Sequence, residues 1–179
     1  MNKKLKDFLS TSLYLLCVLG VCLLLLKYVG QRTDVFGRSM MPTLQDGNSI
    51  ILDKISYRFN DPERFDIIVF PFRDSSGKNY IKRIIGLPGE TVQIDPEGNI
   101  YINGEILYES YGMEVMVNPG RALSPISLGE NEYFVLGDNR NDSEDSRFTE
   151  VGNVKRSEIL GRAWFRIWPL NEMGLVNKK

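Results

Sequence analysis

The chain has 179 residues, 42% of them hydrophobic and 25% charged, which suits one compact domain with a real core and excludes a disordered chain. Its net charge of -1 conceals an asymmetry, because residues 1–27 hold four lysines and one aspartate and leave 18 basic and 22 acidic residues beyond. That acidic remainder has no nucleic-acid footprint, and the absence of histidine removes the usual general base of serine and cysteine hydrolases along with the commonest metal ligand.

From Phe8 to Leu26 there are 19 residues without a charge. As a helix this run spans about 28 Å, close to the roughly 30 Å of bilayer hydrocarbon, so one transmembrane helix is expected. The expected organisation is an N-terminal tail and anchor over residues 1–29 and a β-rich domain over 30–179. "KYVGQRTD" after the run offers no A-x-A cleavage site, so the anchor is read as uncleaved. Both cysteines, Cys17 and Cys22, fall inside the run, which leaves the rest of the chain without a disulfide framework or a thiolate zinc site. Lys3, Lys4 and Lys6 on one flank are matched by Lys27, Arg32 and Arg38 on the other, so charge alone does not orient the helix.

Beyond the anchor the sequence reads as short strands. "NSIILDKI", "FDIIVFPF", "NYIKRIIG", "ETVQID", "NIYINGEIL", "EYFVLGD" and "GRAWFRIWP" are rich in Ile, Val, Tyr and Phe and are separated by turn signals such as "GLPGE" and "DPEGN". The expected fold is mainly β, a partly closed antiparallel assembly, with residues 91–128 as a hairpin-containing insertion and "VKRSEIL" as the best short helical turn. Trp164, Phe165 and Trp168 are read as core side chains of the last strand, with contact to lipid as the alternative.

Three stretches carry the chemistry. "VFGRSMMPTL" places Ser39 in a turn soon after the apolar run; 13 extended residues from Leu26 reach at most about 45 Å, which keeps it near a bilayer. In "NYIKRIIG", alternation puts Lys82 on one face with Tyr80 and Ile84 and Arg83 on the other with Ile81 and Ile85, so one of the two cations is expected among apolar neighbours. A solvated lysine is neutral in only about 0.04% of molecules at pH 7, but burial on an apolar face lowers its pKa and lets it accept a serine proton. The third stretch, "LGDNRNDSEDSRF", crowds acids, amides, Ser143 and two arginines after an apolar strand; it lacks the glycine and glutamate positions of an EF-hand loop.

Together, "GRSMMPTL", "FDIIVF", "YIKRIIGLPGE" and "LGDNRNDSEDSRF", in that order behind an N-terminal anchor, resemble the type I signal peptidases in their single-anchor Gram-positive form. The resemblance implies an antiparallel β catalytic fold, a serine-lysine dyad, and removal of signal peptides from exported preproteins with no metal or cofactor. It makes Ser39 the nucleophile and Lys82 the general base. Ser143 would hydrogen-bond and orient the lysine, Asp145 and Arg147 would pair to hold the loop, and Asp138 would support them. Met40 and Ile81, with Val35, would line shallow pockets for small side chains. The implied partners are preproteins, the lipid bilayer and the secretion translocon. The implied location is the plasma membrane, with the N-terminus cytoplasmic and the domain outside. Gly37 stands where some relatives have a serine that helps the oxyanion hole, so the backbone N–H of Ser39 would act with another donor. "RNDS" also reverses the commoner Asn and Asp order, and the lack of histidine excludes the animal and endoplasmic branch. The alternatives are a non-catalytic membrane chaperone or pilus-assembly factor of the same fold, and an autoprotease with a DNA-binding domain. The intact Ser39 and Lys82 disfavour the first; the anchor and the absence of a basic domain disfavour the second.

Overall fold

The structure, a computed structural model, describes residues 3–28, 30–72 and 77–176. The apolar run forms helix α1 (Lys3–Tyr28), 26 residues long. The end of the expected span lies outside the described residues, since the side chains of residues 23–28 are not among them; in what is described, no helix is long and apolar enough to cross a membrane.

The β-branched runs become strands. The first half of the chain supplies β1 (Gly30–Asp34), β2 (Ser49–Asp53), β3 (Ile67–Pro71) and β4 (Asn79–Gly86). The insertion supplies β5 (Thr91–Ile94), β6 (Ile100–Ile102), β7 (Glu105–Ile106) and β8 (Ile126–Ser127). The chain then returns with β9 (Glu132–Leu136), β10 (Val154–Lys155), β11 (Gly161–Trp168) and β12 (Gly174–Leu175). The main sheet runs β1-β2-β11-β3-β4-β9-β10, with β12 on β11, and the insertion makes a separate sheet, β7-β6-β5-β8; every pairing is antiparallel. Among the described residues the main sheet does not close into a full barrel: β1 and β10 are not paired with each other, and β10 offers only two residues for pairing. "VKRSEIL" contains a single 3-10 turn, Arg156–Glu158.

The unbroken "IIVF" of β3 reflects burial on both faces of the sheet. Ile67 and Val69 join Val35, Met40, Leu44, Ile50 and Ile81 on one side, whereas Ile68 and Phe70 join Ile84, Val135 and Val151 on the other. A third cluster, with Val92, Ile94 and Ile100 against Ile85, Phe134 and Leu136, seats the small sheet on the large one. β11 departs from the expected pattern. Trp164 and Trp168 are 47% and 55% exposed while Ala163 is buried, so both tryptophans lie on the outer face of the strand, opposite Ala163; register shifts against β2 fall between Ala163 and Phe165 and between Arg166 and Trp168.

Gly86 marks the junction of the two sheets, where an added Cβ would lie 2.5 Å from Val92 Cγ2 and 2.8 Å from Leu128 Cδ1. Gly86→Ala is expected to destabilise the fold by about 1–3 kcal/mol through overpacking, measured as a lower urea midpoint with an unchanged slope.

Candidate active site

Ser39 sits in the turn-rich loop between β1 and β2. Hydrogen bonds from Met41 N–H to the Arg38 carbonyl, at 3.1 Å, and from Leu44 N–H to the Met40 carbonyl, at 2.9 Å, close this loop. The buried side chains of Met40 and Leu44 fasten it to the core. Gly37 has φ +86°, a left-handed conformation that favours glycine, and its N–H donates to Asp46 Oδ1 at 2.8 Å. The residue that departs from some relatives is thus required by the backbone. Among the described residues, the N–H of Ser39 itself donates to no acceptor, which leaves it available to a ligand.

Lys82 approaches from β4, and its Nζ stands 2.7 Å from Ser39 Oγ. It also lies over the Tyr80 ring, 4.9 Å from the centroid. Burial pulls the Lys82 ammonium down from 10.5 to about 8, against the opposing attraction of Asp145, Glu144 and Asp138 and with help from Arg147. Alternation predicted one buried cation on this strand, but both are buried: Lys82 is 4% exposed and Arg83 is fully enclosed. Arg83 escapes the cost of an unpaired buried charge because Nε and Nη2 donate to Asp138 Oδ1 and Oδ2 at 2.8 and 2.6 Å.

The loop after β9 surrounds the lysine. Asp145 accepts from Gly137 N–H at 3.1 Å, from Ser143 Oγ at 2.8 Å, and from Arg147 Nε and Nη2 at 2.8 and 2.9 Å. The expected Ser143–Lys82 hydrogen bond is therefore replaced by a Ser143–Asp145 bond. The hydroxyl donates its hydrogen bond to the adjacent buried carboxylate, and among the described residues Lys82 Nζ makes no hydrogen bond to it. Asp138 Oδ2 accepts from both Arg83 and the Thr43 hydroxyl, the latter at 2.5 Å, so it ties β4 to the loop that carries Ser39. Gly137 is needed for close approach: an added Cβ would fall 2.3 Å from Ser143 Oγ and 2.5 Å from the Ser39 carbonyl oxygen.

Above Ser39 and Lys82 opens a cleft of about 910 Å³, with Val35, Met40 and Ile81 on its apolar floor and Ser143 on its wall. All nine residues singled out from sequence fall in or directly behind it. Reading the sequence did not find Arg83 or Gly137 as parts of the site, and it gave Thr43 a turn-fixing role rather than a bond to Asp138. The arginine was visible as a second cation in an isoleucine strand, but its partner lies 55 residues away.

Known proteins resemble the chain over most of its length. The family model described as "Signal peptidase, peptidase S26" matches residues 7–168. "Probable signal peptidase I-2" of Synechocystis is 43% identical over 83% of this chain and 68% of its own length. "Signal peptidase I T" of Bacillus subtilis is 32% identical over 96% of this chain and 91% of its own. A crystal structure of a signal peptidase I from Enterococcus faecalis is 38% identical, covers 57% of this chain and 97% of that one, and superposes with a TM-score of 0.47. The chain belongs to the S26 signal peptidase family. As a member it is a serine endopeptidase, a hydrolase of peptide bonds.

A lysine with a folded pKa near 8 and an unfolded value near 10.5 binds fewer protons when folded between those limits. Stability therefore rises with pH across this window, and below it the wild type carries the full cost of the buried charge. Lys82→Met is expected to be more stable than the wild type by about 2–3 kcal/mol below pH 8, with the difference vanishing above pH 10.5, in urea titrations at several pH values. Gly137→Ala is expected to fold yet lose at least roughly tenfold in kcat/KM toward a precursor, because a displacement of about 1 Å at the nucleophile is costly.

Proposed function

We propose that this chain removes N-terminal signal peptides from exported preproteins by a Ser39–Lys82 acyl-enzyme mechanism. The observation that carries the reading is the 2.7 Å approach of a buried, proton-losing lysine to a serine at the floor of an open cleft, in a chain without histidine. With a pKa near 8, about one lysine in ten is neutral at pH 7, several hundred times the fraction of a solvated one.

Neutral Lys82 accepts the Ser39 proton as Oγ attacks the scissile carbonyl carbon. The oxyanion that forms is met by the free N–H of Ser39. The Lys82 ammonium then donates its proton to the leaving amine, the C–N bond breaks, and an ester on Ser39 remains. Water attacks that ester with Lys82 again as base, which releases the carboxylate and restores the serine. Asp145, Arg147, Ser143 and Asp138 act by holding the loop and its charges in place.

The cleft also has a means of gripping an extended chain. β9 pairs with β4 only over Arg83 to Gly86, so the β4 edge from Asn79 to Lys82 has no strand partner there among the described residues. Ile84 turns its N–H and carbonyl to Asp66 and Phe65 on the β3 side, so alternation turns the backbone groups of Ile81 toward the cleft. A peptide added to this edge would alternate its side chains, with those directed downward meeting Val35, Met40 and Ile81, a floor that favours small residues. The anchor belongs to the same reading. The uncharged run from Phe8 to Leu26 as a membrane span, cytoplasmic at its N-terminus, would hold the cleft at the outer surface of the plasma membrane, where preproteins emerge from the translocon.

The purified full chain in detergent is expected to cut a precursor after its signal peptide. Ser39→Ala and Lys82→Ala are each expected to lose roughly 10³-fold or more in kcat. Cleavage persisting in either variant contradicts the dyad. Because the neutral amine is the active form, kcat/KM is expected to fall tenfold per pH unit on the acid side of an apparent pKa near 8.

A further inference from the structure

The insertion returns toward the main sheet as a strap, from Glu109 to Arg121, pressed against the loop that surrounds Lys82. Glu109 Oε1 is 2.8 Å from Arg140 Nη2, an ion pair close in distance though off the hydrogen-bond direction. Met113 N–H donates to the Asp138 carbonyl at 3.0 Å, and Val117 N–H to Asn141 Oδ1 at 3.0 Å. In return Arg147 Nη1 donates to the Asn118 carbonyl at 2.9 Å and Arg121 Nε to the Ser146 carbonyl at 2.8 Å. The strap lies too close for side chains at two glycines of positive φ: an added Cβ on Gly120 would fall 2.4 Å from the Arg147 carbonyl oxygen, and one on Gly98 2.7 Å from that of Met116.

One strap residue reaches further inward. The ring of Tyr111, nearly buried, lies 3.7 Å from Arg83 Cζ and 5.0 Å from the ring of Phe65. In its plane Arg83 donates to both Asp138 oxygens, to the Phe65 carbonyl at 2.9 Å and, at 3.4 Å, to the Thr43 hydroxyl, while the Tyr111 ring covers the face of the guanidinium. Arg83 follows Lys82 in β4, and Asp138 precedes Asn139, whose N–H donates to the Ser39 carbonyl at 3.0 Å. Asp138 also takes the Thr43 hydroxyl, four residues past the nucleophile. The Arg83–Asp138 pair is thus the short bridge between the strand that carries Lys82 and both ends of the loop that carries Ser39. A planar pair clamped only at its edges still rocks; a ring stacked on its face removes that freedom and keeps water off it.

We propose that Tyr111 is a positioning residue of this site: its ring over the Arg83 guanidinium holds the ion pair that spaces Ser39 from Lys82. The proposal rests on the peptidase reading above. It makes the small sheet part of the catalytic apparatus, although it contributes no group to the reacting atoms.

The test compares the purified full chain with Tyr111→Phe, Tyr111→Leu and Val117→Ser, an exposed change on the same strap, in precursor cleavage across pH 6 to 10. Tyr111→Leu is expected to lower kcat tenfold or more with KM within twofold, and to move the acid limb of the profile upward as water reaches the lysine. Tyr111→Phe keeps the ring and is expected to stay within about threefold of the wild type; Val117→Ser is expected to be unchanged. Should Tyr111→Leu fail to fold by near-UV circular dichroism, Tyr111→Met, which fills the space without a π face, takes its place with the same expectation. A folded Leu or Met variant with wild-type kcat and pH profile overturns the proposal, as does activity lost only in proportion to folded protein. A wild type that cuts no precursor overturns the peptidase reading instead.

Discussion

Everything around this site follows from weakening one lysine's hold on its proton in an acidic neighbourhood. Lys82 has three carboxylates acting on it, and their attraction alone would keep it protonated. Two of them are answered in place. Asp138 is paired with Arg83 and Asp145 with Arg147, each at 2.6–2.8 Å and each almost wholly buried. Seen from Lys82, each pair is close to a neutral dipole, so burial prevails. The pairs also account for the buried charge in the loop after β9.

The same pairs are structural joints. Arg83 joins β4 to the loop, Asp138 joins the loop to Thr43, and Arg147 joins it to the strap. Because each joint is a buried charge, removing one partner leaves the other unpaired in the interior, which costs about 3–5 kcal/mol. Electrostatic control and mechanical rigidity therefore reside in the same atoms.

Much of this was legible in the sequence because it is local. Strands announce themselves as runs of Ile and Val, the "DPEGN" turn separates β5 from β6, and residues 91–128 form a unit of their own. Ser39 and Lys82 stood out because a chain without histidine needs another base and because a lysine beside Ile81 and Ile84 is out of place on a solvated strand. Nonlocal features were not legible. Nothing near Arg83 in the sequence names Asp138 as its partner, and nothing in "YESYG" says that Tyr111 lies on that arginine. The donation of the Ser143 hydroxyl to Asp145 depends on how the loop folds back on itself, which the sequence does not show. The exposure of Trp164 and Trp168 depends on which face of β11 meets the core, and alternation alone does not name that face.

The enclosed ion pairs have one more consequence, which concerns the medium rather than the reaction. Mobile ions weaken attractions between charges on a wetted surface within about 8 to 10 Å at ordinary ionic strength, but they do not enter a packed interior. The rim contact of Arg38 with Asp142, at 3.7 Å, is open to such screening; Arg83 with Asp138 and Arg147 with Asp145 are not. The share of Lys82's proton affinity that the inner pairs set is therefore insulated from salt, while the pull of the exposed Glu144 is open to screening.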